Sequence, residues 1–414
     1  MSSSAADPAA VARLGTSLRC RPARETLWAA QRLMPALGIS RVTDITRMDR
    51  LGLPVCASIR PRGRTLRVHA GKGLDLDEAR AGALMEAVEY AVAEQASAAA
   101  ADAFISVGEF VAQFGGALRL VDFAPALGQP VTADRRIAAV TCEDLCSGQD
   151  RLVPAELVHM PWPADDGPPL FGWSTNGLAS GNTLAEATLH ALYEVLERDA
   201  LAMNRAGDNS IAIDNNSLPG SVRAWAAAWQ AQGIALAVRQ MPNDFDLPCY
   251  EAHLYEPAST DVNLAGGSGL HAQAPIALAR AVCEAAQSRL SFIHGGRDDI
   301  TGFFAHAAQT ASTGAAATAG EQQLIASLMD SRGAINFNAA TPLPLPPILL
   351  AALLERLAAR GFGTVLRRQL DLPDGALRRA GLHVVKVVVP RCETVLGNPM
   401  RMGPRLLARV LARG

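Results

Sequence analysis

The stretch NGLASGNTLAEATLHALYEVLERDALAMNRA, residues 176–206, decides how this chain folds. It opens on a Gly/Ser/Asn segment, read as a loop over residues 174–182. From Thr183 onward the apolar residues Leu189, Leu192, Val195 and Leu196 recur at helical spacing and predict a long helix ending near Arg205. Thr183 followed three residues later by Glu186 resembles a capping box. Glu194 and Glu197 share one face of that helix, because residues at i and i+3 are neighbours. Carboxylates among such apolar residues are costly unless something compensates them.

The same arrangement appears twice more. Upstream, strands are expected over residues 41–45, 54–59 and 64–68, then a turn at Ala70-Gly71-Lys72-Gly73 and a long helix over 77–98. That helix carries Glu86 and Glu89 among Leu84, Met85 and Val88. Downstream, strands over 234–240 and 249–254 lead to a Gly-rich loop at 265–271 and a helix over 276–292 holding Glu284, Gln287 and Arg289. A strand, a Gly-bearing loop and a carboxylate-bearing helix, three times over, predict an internally duplicated architecture. Around this frame the sequence predicts a helix over 25–37 capped by Gly38, a hairpin of strands 137–142 and 151–153, a helix over 348–360, and strands over 364–370 and 383–389. Residues 307–320, almost all small, suit either a helix or a surface loop.

The expected class is α/β (α+β), with mixed sheets packed against long helices and internal pseudo-repeats. The expected division is a flexible lead-in over 1–18, a core over 19–305, a low-complexity and Pro-rich connecting segment over 306–347, and a C-terminal part over 348–414.

Bulk composition narrows the function. The chain has 414 residues, 49% of them hydrophobic, and a formal net charge of -2. No basic field suited to nucleic acid or an anionic membrane follows from that balance. The first residues lack a basic and an apolar region, so a cytoplasmic protein is expected. The seven cysteines are scattered and expected to be reduced; Cys142 and Cys146 lack two further ligands for zinc. Positive charge is almost all arginine, with Lys72 and Lys386 the only lysines.

One ExxE pair fits a solvated helix face better than a metal site, and with two such pairs both readings stay open. Magnesium would compensate them, since it takes hard oxygen ligands and bridges nucleotide phosphates. The 176–182 segment could cradle phosphate at a helix N-terminus or be an ordinary loop. No Walker A lysine follows it. Lys72 could meet a phosphate or simply sit in a turn.

Three blocks together carry a resemblance. Asn176-Gly177-Leu178-Ala179-Ser180-Gly181-Asn182-Thr183 with Glu194-Val195-Leu196-Glu197-Arg198-Asp199-Ala200 closely resembles the central signature of the YcaO family. So do Gly71-Lys72-Gly73-Leu74 with Ala83-Leu84-Met85-Glu86-Ala87-Val88-Glu89, and Glu284-Ala285-Ala286-Gln287-Ser288-Arg289 with Gly296-Arg297-Asp298-Asp299. The resemblance implies a non-Walker ATP site in which Glu86, Glu89, Glu194 and Glu197 coordinate Mg2+. It implies that Asn182, Arg198, Glu284, Gln287 and Arg289 bind the nucleotide or surround the metal. Arg19 with Thr26 resembles a basic-plus-hydroxyl feature at the family's N-terminus, and His271 resembles a family position. His190 reads as a packed histidine rather than one lining the site. Two features depart from the family: Gly82 and Tyr90 stand where a Ser and an Arg are usual, and residues 406–414 lack the Pro-x-Pro-x-Pro tail of azoline-forming members.

The implied activity is ATP- and Mg2+-dependent phosphorylation of a backbone amide in a ribosomally made precursor peptide, giving a thioamide. The alternatives are an azoline-forming cyclodehydratase acting on Cys, Ser or Thr, a non-catalytic nucleotide-binding accessory, and a carboxylate–amine ligase. The implied partners are the precursor peptide and a separate protein, TfuA-like or E1-like and leader-binding. No nucleic acid and no membrane are implied, and a homodimer is compatible.

Overall fold

The computed structural model describes residues 12–13, 15–96, 101–128, 130–162, 168–258, 264–297, 315–339, 349–394 and 401–412. Most of the 1–18 lead-in, residues 307–314, Asp298, Asp299 and the prolines of 342–347 lie outside the described residues. The chain divides into two compact units, each discontinuous in sequence. One comprises Met1–Leu33, Ala91–Ala206 and Leu343–Gly414; the other comprises Met34–Tyr90 and Gly207–Pro342.

The first unit is built on a six-stranded sheet. Along it run Ala103–Ser106, Arg136–Asp144, Leu366–Leu370, His383–Val388 and Leu178–Gly181, with Gln149–Pro154 paired to Arg136–Asp144. Residues 144–149 close the expected hairpin, Asp144 lying opposite Gln149. The helix Leu184–Ala206 packs on the strands Leu178–Gly181 and His383–Val388. A separate core gathers Phe110, Phe114 and Phe123 with Val140, Val153 and Phe171.

The second unit holds two antiparallel sheets. One has three strands, Arg41–Asp44, Val55–Ile59 and Val68–Lys72; the other has four, Ile211–Ala212, Ala235–Gln240, Cys249–Tyr255 and Leu264–Leu270. The helix Ala274–His294 lies along the four-stranded sheet, and Ala277, Leu278, Ala281, Val282 and Ala285 join Ile234, Leu236, Val238 and Leu254 in its core. Trp229 is buried there with its indole N–H donated to the Leu51 carbonyl at 2.9 Å. The long helix Leu76–Ala96 begins in this unit, with Ala79, Ala83, Leu84, Ala87 and Val88 fully buried. Every pairing between described strands is antiparallel.

The three Gly-bearing segments depart from the sequence expectation. Residues 70–72, 178–181 and 265–270 are strands, not loops. Each strand is followed within a few residues by a long helix that folds back over it. A Cβ on Gly71 would lie 2.0 Å from the Ala83 amide nitrogen, one on Gly181 2.4 Å from that of Ala187, and one on Gly267 2.2 Å from that of Ala285. Glycine here lets helix backbone lie directly on strand backbone, the close-approach role of a strand glycine. The repeat is therefore real, but its glycines pack helices rather than form turns. Gly267→Ala should accordingly cost about 3 kcal/mol, the upper range for overpacking, because both partners are backbone and cannot rotate away. Urea unfolding measures this; a loss below about 1 kcal/mol would mean the helix slides freely on the sheet.

Other differences are small. The helix expected over 25–37 is Ala23–Gln31, followed by turns to Gly38 at φ 66°. Part of the expected connecting segment is helical, Ala315–Met329. Among the described residues no helix is long and apolar enough to cross a membrane.

Candidate nucleotide and metal site

In the first unit the site grows from the start of the helix Leu184–Ala206. Thr183 Oγ1 accepts the Glu186 amide at 3.1 Å, which is half of the expected capping box. The Glu186 side chain does more than cap. Its Oε1 accepts the Asn182 backbone N–H and the Asn182 side-chain amide, both at 2.9 Å, and the Arg19 guanidinium at 3.1 Å. Its Oε2 accepts the Cys20 N–H at 2.8 Å. Burial raises the Glu186 pKa, but Arg19 and the two backbone N–H groups outweigh it and hold the carboxyl below its usual range. Thr26 donates to Asn182 Oδ1 at 2.8 Å, so every polar group of the Asn182 side chain is fixed. Arg19 also reaches the Ser180 carbonyl at 3.2 Å and His190 Nδ1 at 3.2 Å. Arg19, Thr26, Asn182 and His190 thus share one cluster, with Glu186 at its hub. Sequence spacing gave Glu186 only its capping role; the pairing with Arg19 lies 167 residues away and leaves no local signal.

Two turns along the helix, Glu194 is half-buried and Glu197 is buried at 6% exposure. Glu194 Oε1 accepts the Gly177 N–H at 3.2 Å and the Arg198 guanidinium at 3.1 Å. Arg198 also reaches Thr175 Oγ1 at 3.4 Å. The carboxylate pair therefore lies on a helix face supplied with backbone and cationic donors.

In the second unit, Glu86 Oε2 accepts the Ala70 N–H at 3.0 Å, and Glu89 is half-buried on the same helix. Lys72 Nζ pairs with Glu284 Oε2 at 3.0 Å, joining the strand Val68–Lys72 to the helix Ala274–His294. Gln287 is half-buried on that helix. Arg289 is buried between Asp49 Oδ2 at 3.0 Å and Glu256 Oε2 at 2.6 Å, and Arg50 shares Glu256. Its guanidinium is thus engaged in a buried ion network between segments of its own unit. His271 accepts the Gln273 N–H at 3.0 Å just before that helix. Of the two departures from the family pattern, Gly82 is exposed and Tyr90 packs edge-on against His69 at 4.7 Å.

Among the described residues no group of three or more His, Cys, Asp or Glu side chains is drawn together as a ready metal cluster. Glu86 and Glu89 lie three residues apart on one helix, and Glu194 and Glu197 three apart on another. The donors are all glutamate oxygens, which is the ligand chemistry magnesium takes, and Glu86 and Glu194 are each oriented by a backbone N–H. The residues present fit Mg2+.

In each unit a carboxylate-bearing helix packs on an antiparallel sheet through strand glycines. The family model described as YcaO cyclodehydratase, ATP- and Mg2+-binding, matches residues 70–393, and the chain belongs to that family. A Mycobacterium tuberculosis protein recorded as uncharacterized is 31% identical over 417 aligned positions, covering 96% of this chain and 87% of its own. A Rhizobium leguminosarum bv. trifolii protein named for its place in the tfuA 3' region is 34% identical over 275 positions, covering 64% of each chain. Among solved structures, YcaO from Methanopyrus kandleri bound with AMPPCP and Mg2+ superposes with a TM-score of 0.72 at 23% identity, covering 94% of this chain and 96% of that one. A heterocyclase in complex with substrate and cofactor also superposes at 0.72, with 20% identity, covering 94% of this chain and 54% of the heterocyclase.

Proposed function

We propose that this chain uses ATP and Mg2+ to phosphorylate a backbone amide oxygen of a ribosomally made precursor peptide, and that the product is a thioamide. The observation that carries the reading is the Glu194–Glu197 pair, its Glu194 oriented by Gly177 and Arg198, on the helix whose start holds Asn182. Glu86, Glu89, Glu194 and Glu197 are the magnesium carboxylates in this reading. Asn182, Arg198, Glu284 and Gln287 contact the nucleotide or surround the metal, and Lys72, held by Glu284, adds a positive charge. Arg289, with two carboxylates already on it, supports its unit instead.

When bound, ATP and Mg2+ supply the phosphoryl group and neutralise its charge. The bond changes are simple. A sulfide equivalent adds to the amide carbon, the former carbonyl oxygen takes the phosphoryl group, and the C–O bond breaks as phosphate leaves. The chain contributes position and charge, with no covalent intermediate on its own residues. The thioamide and a TfuA-like partner are favoured by the relative from a tfuA 3' region. Azoline formation by a neighbouring Cys, Ser or Thr is the second reading, favoured by the family's description as cyclodehydratases.

The test is a reconstitution of the purified chain with ATP, Mg2+, sulfide, a candidate precursor peptide and a TfuA-like protein, read by mass spectrometry. Exchange of one oxygen for sulfur, with one ADP formed per event, is expected. Loss of one water identifies the cyclodehydratase. Peptide-independent ATP turnover with no mass change would overturn both.

A further inference from the structure

The chain has only two lysines, against thirty-six arginines, and Lys386 is buried at 3% exposure in the strand His383–Val388. Its ammonium donates to the Ser174 carbonyl at 2.5 Å. The residues that follow Ser174 are those that hold the proposed metal carboxylate. Thr175 accepts from Arg198, and the Gly177 N–H donates to Glu194. The far end of this short loop is tied to the same strand, because Val387 N donates to the Gly177 carbonyl at 2.8 Å. Gly177 has a φ of 77°, and a Cβ there would lie 2.1 Å from the Val387 carbonyl oxygen. The loop is thus clamped between Lys386–Val387 on one side and Glu194–Arg198 on the other.

We propose that Lys386 is a positioning residue for Glu194, acting through the Ser174–Gly177 loop rather than by touching metal or nucleotide. A lysine suits the place. It delivers a compact ammonium on a slim stem into a strand–loop gap, where the planar fork of arginine would need more room and more acceptors. Burial pushes its pKa down to about 7, against the pull of Glu194, so the group is kept where its charge is costly.

The inference rests on the magnesium reading of Glu194, so two readouts separate them. The first needs no nucleotide. Lys386→Met is expected to speed amide exchange at Thr175–Leu178 by about tenfold, the size of one lost hydrogen bond, while exchange in the strand Arg136–Asp144 stays unchanged. Unchanged exchange in the loop, or an equal rise in both places, would overturn the proposal. The second is the Mg2+ concentration for half-maximal ATP binding by calorimetry. It should rise about tenfold in Lys386→Met, the lower end for lost support of a metal ligand, and show no further rise when Lys386→Met is added to Glu194→Gln. A fall, which would reveal simple charge repulsion, or an additive rise would also overturn it. If the wild type shows no Mg2+-dependent ATP binding, the magnesium reading is lost while the exchange readout still decides the role of Lys386 in the loop. Lys386→Gln, too short to reach Ser174 but polar, serves should the Met variant fail to fold, with the same expected direction.

Discussion

Glu197→Gln is expected to lower Mg2+-dependent ATP turnover by about a hundredfold or more, with the fold intact. Loss of a residue that merely supports a metal ligand costs about 10–100-fold, so loss of a ligand itself should reach the top of that range or pass it. A hundredfold corresponds to about 2.7 kcal/mol of transition-state stabilisation. Glutamine keeps the length and shape of the side chain at a position only 6% exposed, so packing in the helix Leu184–Ala206 is preserved. It also keeps one acceptor oxygen where the carboxylate had two, so the melting temperature should stay close to that of wild type. Glu194→Gln should show a similar loss, because a neutral amide can no longer hold Arg198 and accepts the Gly177 N–H more weakly. Normal turnover in both variants would remove the magnesium assignment. Loss of turnover together with a collapsed melting curve would recast Glu197 as a structural residue.

The sequence revealed the helices well and the strands beside them poorly, for a physical reason. Leu84, Val88, Leu192 and Leu196 repeat at helical spacing over many turns, and each is fully buried. Glycine gives two opposite signals. It marks turns because it tolerates positive φ, and it marks strands where another backbone must come close. Gly71, Gly181 and Gly267 are of the second kind, and only the helix lying over them, absent from any local window, distinguishes the two. The strand expected over 64–68 is displaced to Val68–Lys72 for the same reason.

The candidate residues were legible where they lie on helices. The two ExxE pairs can be read from spacing, and motif order adds Asn182 and Glu284 to the proposal. The hub formed by Glu186 could not be read, because Arg19 and Cys20 come from the far end of the chain. Arg289 shows the converse. A motif flagged it, but its partners Asp49 and Glu256 lie 240 and 33 residues away and occupy it in a buried network.

Asp199→Ala is expected to destabilise the protein by about 3–5 kcal/mol, the range for breaking a buried ion pair from one side. Asp199 is 1% exposed and meets Arg405 in a two-pronged contact, Oδ1 to Nη1 at 2.6 Å and Oδ2 to Nη2 at 3.1 Å. It also accepts the Glu393 N–H at 2.6 Å. Glu393, itself 1% exposed, accepts the amides of Gly403 at 2.7 Å and of Arg405 and Leu406 at 3.0 Å each. That satisfies the free N–H groups at the start of the helix Pro404–Leu411 and sets a negative charge at the positive end of its dipole. Asp199 thus fastens the C-terminal helix to the helix that carries Glu194 and Glu197. Removing its carboxylate takes the buried anion from the Arg405 guanidinium, which keeps the Arg391 carbonyl at 2.8 Å, and orphans the Glu393 amide, so the loss should exceed that of Arg405→Ala, where Asp199 keeps its backbone donor. Urea unfolding of the two variants beside wild type measures the order. A loss below about 1 kcal/mol for Asp199→Ala, the size of a surface pair, would show that the C-terminal helix is held by Leu406 and its other apolar contacts instead.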